Sequence, residues 1–500
     1  MPPQESDSLL KQQQQQDNSK TKPQETSSII ESSYQQAGGG NPHHLSLDPS
    51  NDDDDDNAIN ITKTTHFRKS NQSISTVIMV VVVAVVTIVA FVWLGGGTKL
   101  FTNNLAGTIG TNVNRTGPYQ LIEIHHGKTF LDYYDFADGP DSLGSAGYNT
   151  YVSKDRAQEL GLFQTEEEDD DDDIAVLLKS AAGTTKRDVN GNRFRESIRL
   201  EGKKRLDRGL IVLDVRHMPA GCGVWPAFWT TDETHWPDHG EIDIVEGINN
   251  QDVVKTALHT SDQCSMYAHV PRWAWSGEWD TATGLPDTFT GRLNFDNRLE
   301  ADNCWVMAPH QWANQGCVAV SQENGTIGTA MNDVGGGVYV LEWDPDNGYI
   351  RSWVFQRHNI PTNLLESMQT ANDSQQHDIT ATTTTKTKTK NTRGDEKDDN
   401  DKTVVLPDPS TWGLPYAYFA IGQGSGCSAD HFVNHHIVIN LAFCGTVAGN
   451  RFQHDCPALY EQYNVHNDSE LTCNAYIDSD PTALKEAYWK IRGVYIYQRQ

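Results

Sequence analysis

Three carboxylates fall within six residues of an otherwise apolar run, Gly240-Glu-Ile-Asp-Ile-Val-Glu-Gly247. In a regular strand Glu241 and Asp243 share one face and Glu246 points to the other, because side chains alternate with a period of two. One extra residue, taken up as a β-bulge, returns Glu246 to the face of the other two. Two glutamates so placed approach the separation of roughly 5 to 5.5 Å that suits retaining cleavage of a glycosidic bond, where one carboxylate attacks the anomeric carbon and the other protonates the leaving oxygen. Asp243 between them can hydrogen-bond a neighbour and hold the two pKa values apart by like-charge coupling. Carbohydrate recognition also needs flat apolar surfaces, which Trp225 and Trp229 can supply just upstream.

The elements that position these residues read as strands. Short apolar or alternating runs broken by Gly, Pro, Asn and Asp recur from Tyr119 to the end, as in Gly209-Leu-Ile-Val-Leu-Asp-Val-Arg216 and Val338-Tyr-Val-Leu-Glu-Trp343. Further strands are expected at Ile350 to Gln356, Tyr416 to Ile421, His436 to Ala442 and Trp489 to Tyr497, with little helical periodicity. The pattern is that of an all-β sandwich. A Thr/Lys-rich tract at about 367–402 reads as a flexible insertion between two strands.

Residues 1–76 are polar and low in complexity, and are expected to form a disordered cytoplasmic tail. Val77 to Leu94 is an uncharged run long enough for a transmembrane signal-anchor helix. Lys63, Arg68 and Lys69 before it outnumber the single Lys99 close after it, which predicts a type II single-pass membrane protein with a cytoplasmic N-terminus. A stalk over 95–117 and a catalytic domain over 118–500 follow, lumenal or extracellular. All eight cysteines lie beyond the apolar run, as an oxidising compartment predicts, and they admit 105 pairings. Sequons at Asn114, Asn324, Asn372 and Asn467 agree with that side, although two more, at Asn60 and Asn71, fall on the cytoplasmic side.

The segments Gly223-Val-Trp-Pro-Ala-Phe-Trp229, His239-Gly-Glu-Ile-Asp-Ile-Val-Glu-Gly247 and Leu258-His-Thr-Ser261 resemble glycoside hydrolase family 16, closest to fungal-type endo-1,3(4)-β-glucanases, or laminarinases. The resemblance implies a β-jelly-roll sandwich of the concanavalin-like kind with a concave glucan cleft. It implies Glu241 as nucleophile, Asp243 as its assistant, Glu246 as general acid/base, and Trp225, Trp229 and His259 as substrate-binding residues. The implied partner is a β-glucan polysaccharide, with a monomeric catalytic domain and no cofactor or metal. Val447 departs from the resemblance, standing where a Trp is common. Trp273, Trp275 and Trp279 either extend the cleft or pack a loop on the domain.

Other chemistries fit less well. A net charge of −28 disfavours nucleic acid. The G-x-S-x-G elbow of serine hydrolases is missing at Ser425, and no His pair has zinc-peptidase spacing. The acidic run Glu166 to Asp173 reads as a solvated insertion rather than a calcium site. Two rivals remain: a transglycosylase that passes the sugar to another hydroxyl, and a catalytically silent glucan-binding lectin.

Overall fold

The computed structural model describes residues 117–500 apart from 142–144, 168–173, 182–185, 188–192, 283–298, 310, 384–404 and 481. The expected tail, membrane helix and most of the stalk lie outside the described residues, as do part of the acidic run and the later part of the insertion. Among the described residues no helix is long and apolar enough to cross a membrane.

Among the described residues, sixteen strands form two eight-stranded sheets. In chain order they are β1 (Tyr119–His126), β2 (Tyr134–Phe136), β3 (Phe163–Glu167), β4 (Ile174–Lys179), β5 (Arg199–Gly202), β6 (Gly209–His217), β7 (Val224–Thr231), β8 (Glu241–Glu246), β9 (Lys255–His259), β10 (Glu278–Trp279), β11 (Cys317–Val320), β12 (Gly337–Asp344), β13 (Tyr349–Gln356), β14 (Ala417–Ala420), β15 (His436–Phe443) and β16 (Tyr488–Arg499). One sheet runs β14-β13-β12-β6-β16-β4-β3, with β1 paired on β16, and the other β10-β11-β9-β8-β7-β15-β5-β2. Pairing within both sheets is antiparallel. All six strands expected from the sequence are present within two residues of their bounds.

The main core lies between the sheets. Ile211, Leu213 and Val215 of β6 and Tyr339 and Leu341 of β12 meet Phe228 of β7, Ile242 of β8 and Ile439 of β15 in one buried cluster. Alternation explains this: every second residue of each strand faces inward, leaving the other set for the outer faces.

Two helical regions correct the sequence reading. Thr362–Thr383 is an α-helix, so the first part of the expected insertion is ordered. Leu364, Met368 and Ala371, at spacings of four and three, bury one stripe against Leu210, Val212 and Tyr495 on the outer face of the first sheet. Asn372 sits within this helix and accepts a hydrogen bond from the Tyr495 hydroxyl at 2.9 Å, so its sequon is packed against a strand. Short helices at Phe452–Asp455, Pro457–Tyr463 and Ser469–Ser479 form the second region. They pack Phe452, Tyr460, Tyr476 and Ile477 on the ends of β7 and β15.

The eight cysteines pair as Cys222–Cys456, Cys264–Cys427, Cys304–Cys317 and Cys444–Cys473. Two of these bonds tie the helical region to strands of the second sheet, and the other two hold the long connections around β9 and β11. Trp275 is buried in the main core with Trp279 packed against it, whereas Trp273 is 80% exposed.

Candidate active site

β8 carries a bulge. Glu246 and Val245 pair with Ala227 and Phe228, but the next partner of Trp229 is Asp243, so Ile244 is the extra residue. Ile242, Ile244 and Val245 all enter the main core. Two consecutive residues therefore face inward, and Glu246 returns to the outer face with Asp243 and Glu241. The same face of β7 presents Trp225, Ala227 and Trp229 by simple alternation.

Each carboxylate has an assigned donor. Trp225 donates its indole N–H to Glu246 Oε1 at 2.8 Å, and Trp236 donates to Glu241 Oε2 at 2.8 Å. His259, opposite Glu241 on β9, approaches Asp243 Oδ2 through Nε2 at 2.9 Å. Glu241 and Asp243 are hydrogen-bonded to each other. The ring of Trp225 is only 8% exposed and packs on Ala442, Ala448, Val447 and Ile248, so Val447 lies behind the tryptophan that holds Glu246. Trp229 is half-buried, donates to Asn440 Oδ1 at 2.8 Å and lies under the Arg199 guanidinium, 5.0 Å from the ring centroid.

Trp236 is the residue that sequence reasoning missed. It belongs to the loop between β7 and β8, is 41% exposed, and reaches Glu241 from five positions upstream. The loop enters β8 through Gly240, with φ +72°, where a Cβ would lie 2.3 Å from the His431 carbonyl oxygen; only glycine fits. Beneath it His435 bonds the His239 carbonyl oxygen through Nε2 and Thr230 Oγ1 through Nδ1. Burial pushes that imidazole down to about 4, so it is neutral.

The electrostatics follow from setting three acids side by side, Asp243 buried and the two glutamates half-buried. Burial, then the Asp243 charge, pushes Glu241 up to about 8 against the pull of His259 and Trp236. Burial is also the largest cause raising Asp243 and Glu246. For His259, burial opposes the imidazolium, but the bond to Asp243 and the charges of Asp243, Glu241 and Glu246 prevail and raise it to about 9. Its Nδ1 is buried without a hydrogen-bond partner. Gly316 stands against that edge, where a Cβ would come within 2.9 Å of Nδ1.

Among the described residues, two groups of side chains offer ligand atoms within 4.8 Å of one another: Glu241, Asp243 and His259, and, in the β7–β8 loop, Asp232, His235 and His239.

The family model of the XgeA-like catalytic domain of glycoside hydrolase family 16 matches residues 134–398 and 397–497. The chain belongs to glycoside hydrolase family 16. Among family relatives, it is 31% identical over 402 residues to a probable endo-1,3(4)-β-glucanase of Aspergillus fumigatus, covering 80% of this chain and 48% of that protein. It is 31% identical over 382 residues to the endo-1,3(4)-β-glucanase XgeA of Emericella nidulans, covering 76% and 47%. A probable glycosidase of Schizosaccharomyces pombe is 29% identical over 383 residues, covering 76% and 69%. The chain thus spans about half the length of the first two.

Solved family-16 structures share the fold. An elongating family-16 β-1,3-glucosyltransferase superposes with a TM-score of 0.55 at 27% identity, covering 76% of this chain and all of that one. Laminarinase 16A from Phanerochaete chrysosporium, with two 6-O-glucosyl-laminaritriose molecules in its donor and acceptor sites, gives 0.54 at 26%, covering 76% and 99%. This mostly-β sandwich is therefore the family-16 laminarinase fold.

Proposed function

We propose that the protein is a retaining endo-β-glucanase acting on β-1,3 or mixed β-1,3/1,4 glucans. The observation that carries this reading is the bulge at Ile244, which sets Glu241, Asp243 and Glu246 on one face beside tryptophans. Glu241 attacks the anomeric carbon, and Glu246 protonates the departing glycosidic oxygen. A glycosyl-enzyme ester forms on Glu241 as the glycosidic bond breaks. Glu246, now ionised, takes a proton from water, which attacks the anomeric carbon and frees Glu241.

Attack requires ionised Glu241, so the proton of the Glu241–Asp243 bond moves onto Asp243 as substrate enters. His259 and Trp236 then supply the positive charge and the N–H that favour the glutamate anion. Glu246 begins protonated, which its burial favours. Exposed Trp236 and half-buried Trp229 offer flat faces to the sugar, and Trp225 orients the acid. Reducing-end release from laminarin, lost in Glu241→Gln, tests this reading; a variant as active as wild type would refute it.

A second reading is transglycosylation, favoured by the likeness to the elongating β-1,3-glucosyltransferase. In it a sugar hydroxyl replaces water in the second step. Chain-length redistribution of one laminari-oligosaccharide without new reducing ends would establish it in place of hydrolysis.

We also propose a type II anchor over 77–94 that holds the domain in a lumenal or extracellular compartment, and a monomeric catalytic domain. Pairing of all eight cysteines supports an oxidising location. Protease protection of intact microsomes tests it: digestion of the catalytic domain without detergent would reverse the topology.

A further inference from the structure

The loop between β7 and β8 holds a second group of chemically active side chains that the glucanase reading does not use. Asp232 Oδ2 receives His235 Nδ1 at 2.9 Å and His239 Nδ1 at 2.8 Å. The two rings stack with centroids 4.4 Å apart. Asp232 is 1% exposed and is fixed from beneath by Asn434, whose amide donates to Oδ2 at 3.0 Å, while Arg205 stands 3.7 Å from Oδ1. The His235 side chain is 55% exposed and that of His239 30%. One wall is therefore rigid and buried, and the other is open to water.

We propose that Asp232, His235 and His239 form a binding site for one divalent transition ion of the zinc class, outside the catalytic group. Two imidazole nitrogens and one carboxylate oxygen are the ligand set that such ions prefer over calcium or magnesium, whose ligands are oxygens. Zinc bonds of about 2.0 to 2.2 Å in a tetrahedron imply ligand atoms roughly 3.3 Å apart. The observed 2.8 and 2.9 Å contacts need only a small spreading, which the two partly exposed rings permit.

Binding replaces the hydrogen now directed from each Nδ1 to the carboxylate. A neutral ring accommodates this by carrying its proton on Nε2, so no net proton is lost; an imidazolium releases one. Asp232 remains a carboxylate throughout, and solvent supplies a fourth ligand on the open side. Trp236 lies between the two histidines in sequence and bonds Glu241, so the ion pins the loop that delivers that indole.

The test is titration of zinc(II) into untagged full-length protein by calorimetry, beside His235→Ala and His235→Ala/His239→Ala, with cobalt(II) visible absorption on the wild type. His235 is exposed, so its removal leaves folding intact. The expected result is one site per chain, weakened by about tenfold or more in the single variant and absent in the double, with a cobalt spectrum of low coordination number. Wild type that binds no zinc beyond the double variant's level, or stoichiometric binding that survives both substitutions, overturns the proposal. Survival in the double variant with loss in His259→Ala would move the ion to the catalytic group and equally refute it.

Discussion

Trp225 donates its indole N–H to Oε1 of Glu246 at 2.8 Å while its ring is buried against Ala442, Ala448 and Val447. A rigid aromatic thus sets the rotamer of the carboxyl group to which the proposal gives the proton. The hydrogen bond favours the carboxylate and opposes the upward push of burial. Replacing Trp225 by Phe keeps most of the packing and removes the donor. Glu246 then holds its proton to higher pH, and the alkaline limb of the kcat/KM profile moves up. An unmoved limb would detach Trp225 from the acid.

The two glutamates are separable by leaving group. With laminarin, Glu241→Gln and Glu246→Gln each lose about two to four orders of magnitude in kcat. With an activated aryl β-glucoside oligomer, whose leaving group needs no proton, glycosylation persists in Glu246→Gln and stays abolished in Glu241→Gln. Burst kinetics of aryl release distinguish them, and the opposite pattern would exchange the roles.

His259 reports on Asp243. Its value of about 9 depends on that carboxylate, so Asp243→Asn lowers it, as an NMR titration of the imidazole would record. The stability consequence has a definite sign. The folded value exceeds the unfolded value of about 6.5, so the His259 contribution is fully present below pH 6.5 and fades as pH rises through about 9. Glu241, raised to about 8, acts in the same sense, because the folded protein holds its extra proton until pH rises through that value. Wild-type stability therefore declines from pH 6.5 to 9, and Asp243→Asn declines less. Parallel curves from chemical denaturation would contradict the coupling.

Leu364 is fully buried where the helix Thr362–Thr383 meets the first sheet. Leu364→Ala is expected to reduce unfolding stability by about 2 to 5 kcal/mol with kcat nearly unchanged, since the helix packs on the sheet that does not carry the carboxylates. Denaturant midpoints and laminarin kinetics on the same preparation check both halves. A variant as stable as wild type would return this stretch to the status of a loose insertion.

Much of the site is legible in Glu241-Ile-Asp-Ile-Val-Glu246, because period-two alternation leaves Glu246 on the wrong face and a bulge is the simple repair; the structure puts it at Ile244. The strand pattern of β12 is equally readable, since Val338-Tyr-Val-Leu341 is a buried apolar run and only Glu342 and Asp344, paired with arginines, interrupt it. The helix at 362–383 was obscured because its stripe is short, Leu364, Met368 and Ala371, and its polar face merges with the Thr/Lys tract. The small helices after β15 are held by Cys222–Cys456 and Cys444–Cys473, and pairing across such separations leaves no local periodicity. Trp236 escaped because a tryptophan in a polar loop carries no pattern of its own; its placement five residues before Glu241 was the available signal.

Double displacement through Glu241 is tested by proton NMR of the full-length protein acting on laminarin, beside Glu241→Gln, with the anomeric signals followed from the first minutes and reducing ends counted in parallel. New reducing ends are expected to appear first as the β-anomer, with the variant silent. Initial α-anomer, or equal release by the variant, would contradict double displacement through Glu241.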